Sequence, residues 1–225
     1  MAERITFKTV DECTIVGDWV PAPTTIGAVI LIHMMPSNRK SWAEFQAKLS
    51  KRGIASLAID LRGHGESLDG PEGTNMDFKS FTDEEHQSAL FDVTGAIDWL
   101  KRRGYEPDRI ALCGASFGAN LAVEALLEEP KLLGAALLSP GKDYSGTDAT
   151  FDAASILPDQ ALWVAASEGD DQEAFDASKQ VAAKATSDRK DFVKLKNAGH
   201  GTAILASHPE VGDTLADWLR DIIRG

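Results

Sequence analysis

The sequence contains few cysteines, no long apolar run and no excess of positive charge. Two cysteines in 225 residues are too few for a disulfide framework. Cys13 and Cys113 lie in strand-like segments, which favours buried, reduced thiols in a cytoplasmic protein and leaves a single disulfide as the alternative. The first twelve residues are rich in charge, so no secretory signal is predicted. No segment is apolar enough for a transmembrane span.

The charge balance is acidic, and this narrows the class of partner. Lysine and arginine number 23 against 35 aspartates and glutamates, which gives a formal charge of −12. Nucleic-acid binding needs clustered basic side chains, so we expect no nucleic-acid partner. With 43% hydrophobic residues and no repeats, the chain is long enough to bury one core, and we predict a single domain over residues 1–225.

Apolar runs alternate with amphipathic segments along the chain. This order predicts an α/β fold with a mostly parallel eight-stranded sheet that carries helices on both faces. The first two strands are predicted to be antiparallel. The predicted strands are 5–8, 14–20, 28–32, 54–59, 109–113, 133–138, 161–166 and 193–196, and the predicted helices include 41–52, 119–128, 174–185 and one that begins at Pro209.

Two further segments of the chain have a predictable local structure. Thr82 and Glu85 form a capping-box pattern that is expected to open a helix continuing through Leu100 to about Gly104. Residues 141–158 are polar and rich in small side chains, and they are too few to build a lid domain. We therefore expect an open site at the carboxyl edge of the sheet.

Residues 114–118 read Gly-Ala-Ser-Phe-Gly, at the junction of a predicted strand and a predicted helix. The G-x-S-x-G pattern at such a junction is typical of a nucleophile elbow, in which a sharp turn presents a serine above the sheet. Small neighbours are needed because a tight backbone leaves no room for larger side chains. Ser116 is therefore the candidate nucleophile.

A serine hydroxyl needs a base and a carboxylate that orients the base. Only His200 and His208 follow Ser116, and His200 is preferred because it lies in the glycine-containing turn after the last predicted strand. The acid is expected after strand 161–166, where Asp170 is ranked first, Asp171 second and Glu168 third. This acidic cluster is alternatively a cap of the following helix.

The oxyanion of acyl transfer needs two backbone donors. The amides of Phe117 and Met35 are the candidates, whereas Pro36 has no amide hydrogen. Neither a cofactor nor a metal is expected, because the histidines and carboxylates at the strand ends match no ligand spacing. Side chains considered as pocket lining, with ordinary packing as the alternative, are Met34, Met35, Met76, Phe78, Tyr144 and Phe151.

These motifs resemble the α/β-hydrolase fold in its compact form, similar to dienelactone-hydrolase-like proteins and small carboxylesterases. The resemblance spans nearly the whole chain and depends on the elbow at 114–118, the Asp-Leu-Arg-Gly-His-Gly-Glu-Ser segment at 60–67, the acidic turn at 167–171 and Gly199-His200. It implies a triad of Ser116, Asp170 and His200, with Met35 and Phe117 as oxyanion donors. The chain departs from the family where His33-Met34 replaces the usual His-Gly and where serine replaces the cysteine of dienelactone hydrolases.

The predicted reaction is hydrolysis of small, short-chain carboxylic esters through an acyl-enzyme. Thioesterase, lactonase and acyltransferase activities use the same groups and stay open. A ligand-binding protein on a hydrolase scaffold is the alternative from another class. The expected partner is a small ester in the cytoplasm, with no insertion into a membrane.

Overall fold

The computed structural model describes residues 2–225 and contains one eight-stranded sheet. Its strand order is β1-β2-β4-β3-β5-β6-β7-β8. β1 pairs antiparallel with β2 and β2 pairs antiparallel with β4, while the remaining neighbours pair in parallel. The strands are β1 Glu3–Lys8, β2 Thr14–Val20, β3 Gly27–Ile32, β4 Ile54–Ile59, β5 Ile110–Ala115, β6 Gly134–Leu138, β7 Ala161–Glu168 and β8 Lys190–Lys196.

Helices cover both faces of the sheet, as the continuous apolar runs predict. The buried side chains of β3 and β5 divide between two clusters. One cluster packs against α3, α4 and α6, and the other against α1 and α8. The helices are α1 Ala43–Lys51, α2 Asp83–Gln87, α3 Leu90–Arg102, α4 Phe117–Glu128, α5 Ala149–Asp152, α6 Gln172–Lys184, α7 Ala203–Ser207 and α8 Pro209–Arg224.

The predicted α/β fold and the antiparallel pairing of the first two strands are confirmed, and two local predictions need correction. The single helix expected from Thr82 to about Gly104 is two helices, α2 and α3, separated by Ser88 and Ala89. The Thr82–Glu85 capping box is present at the start of α2. Helix α7, a turn between the last strand and α8, is absent from the sequence prediction because five residues give too little periodicity.

The topology brings the carboxyl ends of six neighbouring parallel strands, β4 among them, to one edge of the sheet. β5 lies in the centre, with β3 on one side and β6, β7 and β8 in succession on the other. Between β6 and β7 the chain forms only α5 and a 3₁₀ turn, which is too little structure for a lid domain. The carboxyl edge is therefore where the loops that carry functional side chains meet.

Within residues 2–225, no helix combines the length and the apolar character needed to cross a membrane.

Candidate active site

Ser116 occupies a strained turn between β5 and α4. Its φ of 54° and ψ of −121° are unusual for a non-glycine residue, and such conformations cost about 1–3 kcal/mol. The backbone N–H of Ser116 donates to the carbonyl of Leu138 in β6 at 2.8 Å, which ties the turn to the sheet. The side chain is mostly buried, at 7% exposure, and lies at the N-terminus of α4.

The flanking glycines are required by close backbone contacts. A Cβ on Gly118 would lie 2.5 Å from the carbonyl oxygen of Ile32 in β3. A Cβ on Gly114 would lie 2.1 Å from the carbonyl oxygen of Gly118. Both distances are far below a normal contact, so any larger residue would force the strand and helix apart. The structure thus shows the tight strand-to-helix turn that the sequence predicts.

The two aspartates after β7 have different partners, and this corrects the predicted ranking of the acid. Asp171 Oδ2 lies 2.8 Å from His200 Nδ1, and its side chain is 15% exposed. Asp170 instead accepts hydrogen bonds from the Ser167 hydroxyl and the Gly199 amide. Gly169, with φ of 98°, turns the chain after β7, and Asp171, with φ of −141° and ψ of 51°, is the residue before α6, so the two aspartates stand at different points of the turn.

Asp170 nevertheless shapes the site, because it joins the turn after β7 to the loop that carries His200. Its Oδ2 accepts the Gly199 N–H at 2.8 Å. The hydrogen bond from Ser167 lowers the pKa of the Asp170 carboxyl; desolvation opposes this, and the hydrogen bond from Gly199 lowers the pKa further. Asp170 therefore anchors the backbone beside His200 as a carboxylate, while Asp171 contacts the imidazole.

The loop after β8 places His200 beside the elbow. The backbone N–H of Gly201 donates to the Ser139 hydroxyl at the end of β6, at 3.1 Å. A Cβ on Gly201 would lie 3.4 Å from the Cβ of Ala115, the residue that precedes Ser116. The structure thus brings the predicted base and the predicted nucleophile to the same edge. The other downstream histidine, His208, contacts its neighbour Ser207 and precedes α8.

The predicted oxyanion donors lie on the two sides of the elbow turn. Phe117 begins α4, and Met35 lies in the loop after β3. Within residues 2–225, neither backbone amide donates to another protein group. Amides at a helix N-terminus and in a loop that ends a parallel strand are suited to bind negative charge.

His33 fixes the backbone of the loop that leads to Met35. It is fully buried, its Nδ1 lies 2.8 Å from the Met34 carbonyl, and its Nε2 accepts the Leu61 amide at 3.0 Å. Burial, followed by the nearby charge of His64, lowers the pKa of His33 to about 3. The imidazole is therefore neutral and links the ends of β3 and β4.

The buried guanidinium of Arg39 stabilises the same loop. Arg39 donates to Asp18, Asp60 and Glu66, and Asp60 also accepts the backbone amides of Arg39 at 2.7 Å and Glu66 at 2.8 Å. Arg39 and Asp60 have 3% and 0% side-chain exposure. Buried ion pairs depend on complete hydrogen bonding, and here each carboxylate oxygen of Asp60 has a donor. This network accounts for Asp60 and Glu66 of the 60–67 segment, whereas Arg62 pairs with Asp11 and Asp92.

Among residues 2–225, no group of three histidine, cysteine, aspartate or glutamate side chains is arranged to hold a metal ion. The histidines that follow β3 and β4 make hydrogen bonds and a stacking contact with other protein groups. Both nitrogens of His33 contact backbone groups, while His64 contacts the Arg62 carbonyl through Nδ1 and stacks on Phe78 at 3.9 Å.

A separate cleft of about 500 Å³ lies at the opposite edge of the sheet, lined by segments that precede β5, β6 and β7. Its lining contains prolines, leucines, acidic residues and one lysine, but no serine, histidine or cysteine. It therefore offers no nucleophile, and the geometry at the carboxyl edge is the better candidate for catalysis.

Of the side chains considered as pocket lining, Tyr144 contacts the ring of a candidate catalytic residue. Its ring meets that of His200 edge-on, with 6.3 Å between centroids. Phe78 stacks on His64, and Phe151 is 76% exposed. Sequence reasoning did not assign Tyr144 a role beyond lining, because an aromatic residue in a polar loop has no pattern that predicts its direction.

A family model for serine aminopeptidase, S33, matches residues 23–197. The chain belongs to this family. The match includes β3 to β8 and therefore the elbow and the turn that contains Asp171, while His200 follows directly. The family is one of α/β hydrolases, which confirms the resemblance identified in the sequence. No curated protein matches the chain in sequence.

Solved structures confirm the fold across the full chain. The Pyrococcus furiosus esterase Pf2001 has a TM-score of 0.78 at 19% identity, covering 99% of this chain and 93% of the esterase. The esterase domain of a Rhodothermus marinus protein has a TM-score of 0.76 at 17% identity, covering 99% and 100%. A soluble variant of Saccharomyces cerevisiae monoglyceride lipase has a TM-score of 0.76 at 13% identity, covering 99% and 95%.

Proposed function

We propose that this protein is a serine esterase in which Ser116 is the nucleophile, His200 the general base and Asp171 the orienting acid. The observation that supports this most strongly is the strained Ser116 turn beside a His200–Asp171 pair with 2.8 Å between Nδ1 and Oδ2. Asp171 replaces Asp170 in the triad expected from sequence, because Asp170 is engaged by Ser167 and Gly199.

The proposed reaction proceeds in two acyl-transfer steps. His200 Nε2 takes the Ser116 proton as the oxygen attacks the ester carbonyl, and the Asp171 carboxylate stabilises the imidazolium. The amides of Phe117 and Met35 donate to the oxyanion. His200 then gives its proton to the leaving alcohol, and the same groups direct water at the acyl-enzyme. No cofactor takes part.

We infer small, short-chain esters as substrates. The link from β6 to β7 contains only α5 and a 3₁₀ turn, so little structure is present above the site to surround a long acyl chain. The structural likeness to proteins described as esterases and as a monoglyceride lipase supports carboxylic esters as the substrate class. The family description leaves cleavage of aminoacyl amides as a reaction to test.

The proposal is tested with esters, thioesters, lactones and aminoacyl arylamides of graded acyl length, assayed on wild type, Ser116→Ala and His200→Ala. His208→Ala is the matched control, since the hydrogen bonds that His208 makes join it to its neighbour Ser207 and to the backbone turn before α8. We expect short esters to be the best substrates, both active-site variants to lose turnover, and His208→Ala to keep it. Turnover that survives Ser116→Ala would refute the proposal.

We also propose a cytoplasmic location and a single domain. Cys13 and Cys113 are both buried and unpaired, which suits a reducing compartment. The acidic net charge of −12 supports a small-molecule partner rather than nucleic acid. A thiol titration of the denatured protein after native purification should find two free cysteines, and a disulfide would contradict this.

A further inference from the structure

Tyr144 lies in the loop after β6, on the side of the elbow that faces His200. In the strand order, β3 and its Met35 loop are on one side of β5, whereas β6, β7 and β8 are on the other. The Tyr144 ring meets the His200 ring edge-on, with an interplanar angle of 79°. The tyrosine ring therefore lies on the His200 side of the elbow, across β5 from the loop that carries Met35.

The loop holds the ring in place through contact with Gly141. A Cβ on Gly141 would lie 2.1 Å from two carbons of the Tyr144 ring, so the ring packs directly on the glycine backbone. The tyrosine also forms a two-residue bridge with Thr147, with N···O distances of 2.9 and 3.1 Å. Because both contacts restrain the residue, the direction of the phenol is set before any substrate arrives.

Asn120 fastens this loop to the helix that begins after the nucleophile. It is buried one helical turn beyond Ser116. Its Nδ2 donates to the carbonyls of Gly141 at 3.1 Å and Thr147 at 3.0 Å, and its Oδ1 accepts the Gly141 amide at 3.0 Å. All hydrogen-bonding groups of this buried amide thus hold the Tyr144 loop, which is a costly arrangement for a loop that only covers the core.

The Tyr144 hydroxyl is a neutral hydrogen-bond donor. Burial, helped by the nearby charge of Asp171, raises its pKa to about 12, although the interaction with the Ser116 hydroxyl opposes the rise. The phenol therefore keeps its proton at neutral and mildly alkaline pH. A fixed, partly buried donor near a nucleophile binds a developing negative charge well, since it needs no reorganisation when that charge forms.

We propose that the Tyr144 hydroxyl donates a hydrogen bond to the leaving oxygen of the ester as the tetrahedral intermediate collapses. The inference rests on the proposed esterase function. In this step the bond between the carbonyl carbon and the leaving oxygen breaks, the electron pair stays on that oxygen, and the proton comes from His200. Tyr144 keeps its own proton and stabilises the charge that has not yet been neutralised.

The test compares wild type with Tyr144→Phe on phenyl acetates of graded leaving-group acidity, from 4-nitrophenyl to 4-methylphenyl acetate. All these esters form the same acetyl-enzyme, and kcat/KM reports the steps up to and including acylation. Nitrophenolate leaves readily without help, whereas methylphenolate needs stabilisation. We expect Tyr144→Phe to lower kcat/KM about twofold or less for the nitrophenyl ester and about tenfold or more for the methylphenyl ester, within the range for one lost donor.

The control is Tyr105→Phe, since the chain contains two tyrosines and Tyr105 packs on Trp19, with 5.8 Å between centroids, away from Ser116. It should leave both rates unchanged. Phenylalanine preserves the ring on Gly141, and equal melting temperatures would show that the loop is intact. An equal loss on all esters, or no loss on any, would overturn the assignment. Wild type inactive on every ester would instead refute the proposed esterase function.

Discussion

Replacing Asp171 with asparagine is expected to lower kcat/KM for a short ester by about 10³-fold, or about 4 kcal/mol of transition-state stabilisation. The carboxylate accepts the His200 Nδ1–H at 2.8 Å and thereby keeps Nε2 free to take the Ser116 proton. Asparagine is neutral, and its NH₂ group favours the opposite tautomer. Loss of the corresponding charge in a fully buried triad costs about 10⁴-fold. Here His200 is 36% exposed, so water offsets part of the loss.

Asp170→Asn is the matched control, because it makes the same chemical change one residue earlier. Asp170 accepts from the Ser167 hydroxyl and the Gly199 amide, and an asparagine oxygen can still accept one of these bonds. We expect kcat/KM to fall about tenfold or less through a small shift of the His200 loop. Both variants should have melting temperatures close to wild type.

The assay is initial-rate hydrolysis of 4-nitrophenyl acetate at one pH. The concentration of active wild-type protein is measured by stoichiometric fluorophosphonate labelling. If Asp170→Asn is impaired as strongly as Asp171→Asn, or if Asp171→Asn stays within tenfold of wild type, the assignment of the acid is wrong. The comparison distinguishes the two aspartates because their side chains are identical and only their hydrogen-bond partners differ.

Two further predictions concern stability and are checked by urea denaturation. Arg39→Met leaves the buried Asp60 carboxylate without its guanidinium and should cost about 3–5 kcal/mol, whereas Arg4→Met, which breaks an exposed pair, should cost less than about 1 kcal/mol; equal costs would refute this. Burial, and then the charge of Asp152, raise the pKa of Glu124 to about 7. The folded protein therefore binds the Glu124 proton more tightly than the unfolded chain, and the stability linked to that proton, present below the unfolded pKa, is lost as pH rises through 7. Glu124→Gln should therefore gain about 1–2 kcal/mol over wild type at about pH 8 but not at about pH 5, and parallel pH profiles would contradict this.

The sequence predicts the elbow and the base because both depend on features that a sequence records directly. Glycines at 114 and 118 indicate the close contact between β5, β3 and α4, where an added Cβ would lie 2.1 and 2.5 Å from backbone oxygens. His200 follows the last strand, and only one other histidine lies downstream of Ser116.

The choice between Asp170 and Asp171 is not predictable in the same way. The two residues have the same side chain, and their directions depend on the dihedral angles after Gly169. The role of Tyr144 is likewise set by loop contacts from Asn120 and Gly141 rather than by any periodic pattern. The break between α2 and α3 also escapes prediction, because Ser88 and Ala89 are compatible with a continuous helix.

The most direct test of the central claim is the site and stoichiometry of fluorophosphonate labelling. Intact-mass analysis of the wild type should show one adduct per chain, and peptide mapping should locate it on Ser116. Ser116→Ala should stay unlabelled, and His200→Ala should label far more slowly than His208→Ala. An adduct on any other residue, or no adduct on folded wild-type protein that hydrolyses esters, would contradict the account.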